Sequence, residues 1–324
     1  IHFAHQTFNW SNEAKSNAAV HVVIIGFAQF DSTNKRIFEY ENIKSNAHEK
    51  SAKNINAYLV EGDDIVIEKR RKPLCNVLNI IKGNYYAKSE GLIIEEKDLD
   101  YLVKNEPNAK KWIKLLIGAD EFINNRKRYC LWLVDCPPDE LRKMPLVMER
   151  VNRVREDRLK STDKGMQNLA PIRFRETNNP DKCIVIPVVS SEKRPYIPIG
   201  FIDKNTISTN GNLIIPNGDL FLFGQLTSLM HMAWVKYTCG RLKSDYRYSK
   251  DLVYNNYPFP KNVSEKQKKA VEEKAQNVLN IRSQFSDCSL ADLYDPLSMP
   301  PNLKKAHQEL DKAVDNCYGS KSFK

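Results

Sequence analysis

Ala18-Ala-Val-His-Val-Val-Ile-Ile-Gly-Phe27 is a nearly continuous run of apolar, mostly β-branched residues. A half-buried strand alternates apolar and polar positions. A run without alternation fits a strand covered on both faces, as in the sheets of α/β folds. The polar stretch from Asn9 to Asn17 before it reads as an exposed turn or hairpin. After it, the turn-like Asp31-Ser-Thr-Asn34 leads into a second short strand, Arg36-Ile-Phe-Glu-Tyr40. Residues 1–50 therefore read as a strand-rich remnant of an α/β sheet.

Farther along, both periods occur. Ile65-Val-Ile67 reads as a short strand. Residues 72–82 read as a helix with Val77, Leu78 and Ile81 on one face and Gly83 as its stop. An acid-rich start predicts a helix over 95–104, and Pro107 opens another that carries Trp112, Leu115 and Leu116 inward. Residues 128–134 read as a buried strand ended by Pro137-Pro138. A helix over 145–160 has Val147, Val151 and Val154 as its stripe and Arg150, Arg153, Arg155 and Arg158 on its other face. Strands are then expected over 172–175, 183–189, 197–202, 205–208 and 213–215. One helix follows over 220–238, between an Asp219 N-cap and a Gly240 stop. Ser264-Glu-Lys-Gln267 is a capping box for the next, and Pro300-Pro301 opens the last. The fold class is mixed α/β (α+β). A mainly β domain with helical insertions occupies 51–260, and a helical segment occupies 261–324.

The chain has 324 residues, with 50 Lys+Arg against 40 Asp+Glu, a formal charge of +10. A composition of 41% hydrophobic and 28% charged residues excludes wholesale disorder and a disulfide miniprotein. No apolar run approaches the ~18 residues of a membrane span. Seven scattered cysteines form no CxxC pair; with no signal peptide, they point to a reducing cytoplasm. The chain begins at Ile1 rather than Met and opens into Thr7-Phe8-Asn9-Trp10, as a piece of a longer protein would. The sequence holds no GxxxxGK[ST] or GxGxxG loop, no HExxH, no GxSxG elbow and no PD-(D/E)xK motif. Of six histidines, only His2 and His5 lie close together, as terminal surface residues, and His231 reads as a core histidine. No catalytic residue and no metal ligand is expected.

The positive charge is more informative. Residues 236–250 hold Lys236, Arg241, Lys243, Arg247 and Lys250 against Asp245, with Tyr237, Tyr246 and Tyr248 interleaved. Cations attract phosphates, aromatic faces stack on bases, and arginine reads guanine edges. Ordinary capping charge on a solvated loop would look the same. Arg173 and Arg175 flank Phe174 on an expected strand, and Lys193 and Arg194 precede Pro195 in an expected loop; both are candidate DNA contacts.

Several blocks occur together in a familiar order. They are Thr7-Phe-Asn-Trp-Ser-Asn-Glu-Ala14 before the apolar run, Gly118-Ala-Asp-Glu-Phe122 with Arg128-Tyr-Cys-Leu-Trp132, and Ser190-Ser-Glu192 with Arg194 and Tyr196-Ile-Pro-Ile-Gly-Phe201. Gly240-Arg-Leu242, Tyr246-Arg-Tyr-Ser249 and Tyr254-Asn-Asn-Tyr-Pro-Phe-Pro260 complete the set. From residue 3 to the C-terminus the chain resembles MmeI-like DNA adenine methyltransferases, fused restriction–modification enzymes and related stand-alone methylases. The family places its optional nuclease, its S-adenosylmethionine loop and its catalytic Asn-Pro-Pro-aromatic tetrapeptide before this region. None of them is in this sequence. The resemblance implies a target recognition fragment for a parent adenine-N6 methyltransferase, with double-stranded DNA and the N-terminal remainder of the parent as partners. S-adenosyl-L-methionine would bind outside this chain, and the fragment alone would be inactive. It further implies that Phe8, or else Trp10, stacks on a flipped adenine. The DNA-binding set is then Arg173, Arg175, Lys193, Arg194, Arg241, Lys243, Arg247, Tyr248 and Ser249. The competing readings are a non-enzymatic nucleic-acid-binding module whose partner supplies activity, and a protein-interaction domain that is basic by accident.

Overall fold

Residues 1–10 and 20–319 are described by a computed structural model. Its contacts divide the chain into two units, Ile1–Lys69 and Arg70–Lys324.

The first unit is built on strands β1 (Phe3–Trp10), β2 (Val20–Gly26), β3 (Lys35–Glu39) and β4 (His48–Ala52). They form one sheet in the order β2-β1-β3-β4, parallel between β1 and β3 and antiparallel elsewhere. Its small core is Ala4, Ile37, Ala52 and Ile55. The apolar run is a strand, but it is not covered on both faces. As the edge strand it leaves Val23 45% and Ile24 39% exposed, and successive residues face opposite sides. The cause is layering: the unit has no helix among its described residues to pack on β2. Residues 11–19, where the hairpin was expected, lie outside the described residues. Ile65-Val-Ile67 is not a strand: Ile65 and Val66 are exposed, and the Ile67 N–H donates to the Tyr58 hydroxyl at 2.8 Å.

The second unit begins with an irregular segment ending in β5 (Ile81–Lys82). The expected helix over 72–82 does not form. Pro73 lacks a donor and disfavours helical backbone at residue 72, and the Leu74 N–H is taken by the Asn255 carbonyl at 2.7 Å. There follow β6 (Ile93–Glu95), α1 (Glu96–Asn105), β7 (Ile113–Ile117), α2 (Ala119–Asn124) and β8 (Arg128–Leu131). Leu115 and Leu116 are therefore strand residues; Pro107 opens only a 3-10 turn, Pro107–Trp112. Next come α3 (Pro138–Leu141), α4 (Pro145–Leu159) and α5 (Lys164–Gln167). α4 buries Val147, Val151 and Val154 as its spacing requires.

Strands β9 (Lys182–Pro187), β10 (Val189–Ser190), β11 (Gly200–Asp203), β12 (Thr206–Ser208) and β13 (Asn212–Pro216) then alternate with tight turns. The 197–202 strand starts late, because Pro195 and Pro198 cannot donate to a ladder. Residues 172–175 are irregular rather than a strand, with Phe174 buried. The single helix expected over 220–238 is two, α6 (Leu220–Leu226) and α7 (Leu229–Thr238). Asp219 caps the first as expected, and Ser228 caps the second by accepting the His231 N–H. Gly240 does not stop a helix; it opens β14 (Gly240–Leu242), which pairs with β15 (Asp245–Arg247). The tail holds α8 (Glu265–Ser283), with its capping box, then α9 (Leu290–Leu293) and α10 (Pro301–Tyr318).

Two four-stranded sheets, ordered β12-β7-β8-β6 and β11-β9-β13-β5, carry separate apolar clusters. The larger joins β9 and β13 to α6, α8 and α10. There α6 lies so close to α8 that a Cβ at Gly224 would sit 2.7 Å from Val271. No helix among the described residues is long and apolar enough to cross a membrane.

Candidate nucleic-acid interface

A small antiparallel sheet, β10-β15-β14, gathers most of the basic candidates of residues 189–247. β14 follows α7 directly, so this hairpin is fixed to a helix end. Val189 pairs with Arg247 and Ser190 with Tyr246; Arg241 also pairs with Tyr246, and Leu242 with Asp245. The turn between Leu242 and Asp245 puts Lys243 at its tip, with a left-handed φ of 56°. The loop after β10 folds against this hairpin: the Glu192 N–H donates to Asp245 Oδ1 at 3.3 Å, and Glu192 lies 3.9 Å from the Arg241 guanidinium.

The inner side of the sheet is apolar and tyrosine-rich. Alternation turns Tyr246 and Tyr248 inward and Arg247 outward. The Tyr248 N–H donates to the Val188 carbonyl at 2.7 Å, and its hydroxyl bonds His231 Nε2 at 2.9 Å. Burial lowers His231 to about 3, so the ring is neutral. His231 is the core histidine expected from its apolar helix.

The candidates thus divide. Lys193, Arg241, Lys243 and Arg247 are exposed on or beside this sheet. Arg194 is half-buried, bonded to Ser190 Oγ at 3.4 Å and facing Asp245 and Asp295; burial lowers its pKa. Arg241 stacks over Tyr246 at 4.0 Å and donates to the Ser244 and Lys236 carbonyls at 3.0 and 3.4 Å, so it closes the end of α7. Tyr248 has neither face nor hydroxyl to offer a base, because both are used inside the core. Ser249 accepts the Leu252 N–H at 3.3 Å and caps the π-helical turn Lys250–Tyr254.

Arg173 and Arg175 keep different company. Arg175 pairs with Asp163 at 3.8 Å and Arg173 bonds the carbonyls of Phe174 and Arg175, so the alternating strand face expected of them is absent. The arginines of α4 are not one basic face. Arg158 is fully buried, Arg150 donates to the Gly91 and Ile93 carbonyls, Arg153 faces Glu149 at 3.9 Å, and Arg155 is exposed. Asp245, set against the basic residues in sequence, and Glu192 join the cluster through contacts that sequence does not carry; each stands out there only as a lone acid within a basic stretch.

In the first unit, Phe8 stacks on Tyr40 with centroids 5.1 Å apart and 17° between planes. His5 stacks on Phe38 at 4.1 Å and its Nδ1 bonds the Tyr40 hydroxyl at 2.8 Å. β1 carries one extra residue between His5 and Phe8, opposite Ile24 and Val22 on β2. Such a bulge re-aims the side chains that follow it. Phe8 has one face occupied by Tyr40, whereas Trp10 is 46% exposed. Among the described residues no three His, Cys, Asp or Glu side chains converge as metal ligands.

Comparison with known proteins finds three matches to family descriptions. Residues 61–261 match the MmeI target recognition domain, residues 263–324 the MmeI C-terminal domain, and residues 1–39 the MmeI DNA-methyltransferase domain. DNA methyltransferase A of Bacillus subtilis (strain 168) is 40% identical over 327 residues, covering 100% of this chain and 36% of that protein. The solved structure of the type IIL restriction–modification enzyme MmeI in complex with DNA matches with a TM-score of 0.88 and 44% identity, covering 99% of this chain and 44% of that one. The chain therefore spans less than half the length of either relative.

Proposed function

The chain belongs to the MmeI family, whose target recognition domain makes up its largest part, and from that premise we propose that it reads double-stranded DNA sequence for an adenine-N6 methyltransferase. The observation that carries this is the β10-β15-β14 sheet. It presents Lys243 and Arg247, with Lys193 beside them, on a backbone held from below by buried tyrosines, while Arg241 is stacked on Tyr246. Rigid presentation is what base reading requires, since a side chain must reach one edge in one register. Among the sequence candidates, Lys243 at the turn tip fits a phosphate contact and Arg247 a base contact.

Phe8 or Trp10 would hold the flipped adenine in the parent, where an aromatic face restores stacking the base loses on leaving the duplex. The proposed division is 1–50 for the end of the methyltransferase sheet, 51–260 for recognition and 261–324 for the helical tail. S-adenosyl-L-methionine would be the parent's methyl donor, and its site would lie outside this chain. The described residues do not fit it: the sequence has no Gly-rich cofactor loop, and among the described residues the first unit's sheet closes on Ala4, Ile37, Ala52 and Ile55. Seven free cysteines fit a reducing cytoplasm.

The test is anisotropy of a labelled duplex pool against the chain across a salt series. Affinity should fall steeply with salt through counterion release, and enrichment should recover one sequence. Equal displacement by cold single-stranded RNA would favour a general nucleic-acid module. A flat salt response would refute DNA reading.

A further inference from the structure

Residues 70–74 form an arch whose two ends are held by one buried residue. Asn255 Nδ2 donates to the Arg70 carbonyl at 2.7 Å, and the Asn255 carbonyl accepts the Leu74 N–H at 2.7 Å. Asn255 is 1% exposed. The Arg70 N–H adds a bond to the Asp251 carbonyl at 2.9 Å. Beyond the arch, the Tyr254 hydroxyl donates to the Leu78 carbonyl at 2.6 Å, which keeps the following chain against the same support. From the clamped Arg70 the arch runs through Arg71, Lys72 and the rigid Pro73. The three cationic residues are exposed.

The support is continuous with the candidate interface. Arg247 ends β15, Tyr248 is pinned inward, Ser249 caps the π-helical turn, and that turn delivers Asp251 and Asn255 to the arch. Asp251, whose carbonyl takes the Arg70 N–H, turns its carboxylate to Lys250 at 3.9 Å. A flexible basic run loses conformational freedom when it binds, whereas this one is ordered beforehand by backbone bonds. The three successive side chains are all cationic with no aromatic among them, which suits a sequence-independent backbone contact.

We infer that the Arg70-Arg71-Lys72 arch is a preformed phosphate clamp that positions duplex DNA against the β10-β15-β14 sheet without reading its sequence. The inference rests on the DNA-reading function proposed above.

The experiment compares the 324-residue chain with its R70S/R71S/K72S variant. The probes are a cognate duplex and a scrambled duplex, each titrated over a salt series. The variant's salt slope should fall by about two to three units, because each lost phosphate contact removes about 0.9. Affinity should drop by the same factor on both duplexes, and the preferred sequence should not change. Arg70→Lys with Arg71→Lys should restore the slope, since a point charge suffices at a phosphate. All three side chains are exposed, so the unfolding temperature should hold. An unchanged slope in the variant, with the parent chain binding normally, overturns the clamp alone. A loss confined to the cognate duplex also overturns it and makes the arch a base reader. A loss seen with single-stranded RNA but not duplex moves it to another partner class. Failure of the unmodified chain to bind any duplex overturns the DNA-reading function, and the clamp with it.

Discussion

Replacing Arg158 by methionine should destabilise the second unit by about 3–4 kcal/mol, near the upper end for a single substitution. The guanidinium is fully buried and none of its acceptors is a carboxylate. It donates to the carbonyls of Lys88 at 3.2 Å, Leu169 at 3.1 Å and Arg173 at 2.6 Å, to the Ala170 carbonyl, and to Ser89 Oγ at 2.7 Å. Hydrogen bonds to a charged donor contribute about 1.5–3 kcal/mol each, so five of them offset the several kcal/mol that desolvating the charge costs. Methionine keeps most of the stem volume and opens little cavity. What it does is strand buried acceptors, at about 1–3 kcal/mol each before water relaxes into the space. Lysine, a point charge without the planar fork, should recover less than half of the loss. Urea unfolding followed by tryptophan fluorescence is a suitable assay, since Trp132 packs edge-on to Phe174 at 5.8 Å in the same core. A loss below about 1 kcal/mol for Arg158→Met would be that of a surface change, and would mean that the five buried bonds do not hold this core together. Because the Arg173 carbonyl is among the acceptors, the substitution also loosens residues 169–175. If the DNA face is the β10-β15-β14 sheet, duplex affinity measured well below the unfolding transition should change little.

Lys243→Ala should weaken binding to all duplexes equally and lower the salt slope by about one unit, read from the same titrations. Arg247→Ala should cost about 1–3 kcal/mol at the cognate site and relax one position of it, whereas Arg241→Ala should mainly lower thermal stability by unstacking Tyr246. Burial lifts the Asp311 carboxyl to about 6, although the Leu229 N–H and the Tyr196 hydroxyl hold its ionised form. A folded value above the unfolded one means stability that is full below about pH 4 and is lost as pH rises through about 6, by about 2–3 kcal/mol, and Asp311→Asn should flatten that part of an unfolding profile. In the full-length parent, Phe8→Ala should depress methylation by about 1–3 kcal/mol of stacking while duplex binding persists; unchanged turnover passes the role to Trp10.

Features written in short-range chemistry were legible in the sequence. The Val147, Val151 and Val154 stripe, the Asp219 cap and the Ser264 capping box each depend on neighbours within a turn, and all three are present. Family membership was legible too, because blocks such as Gly240-Arg-Leu242 and Tyr246-Arg-Tyr-Ser249 keep residue order whatever the fold does with them. Tertiary structure decided what local pattern leaves open. The run at Val20–Gly26 is apolar enough for a buried strand, but its position at the sheet edge leaves it exposed, and layer position is not encoded in periodicity. The apolar spacing at Val77, Leu78 and Ile81 fits a helix, yet partners some 180 residues away take the backbone bonds a helix would use. The same holds for charge. Arg158 and Arg155 are alike in sequence, and only the carbonyls gathered around one of them make it a core residue while the other stays at the surface. That Tyr246 and Tyr248 face inward and Arg247 outward was fixed by strand pairing, Val189 with Arg247, because a one-residue change of register would exchange the two faces.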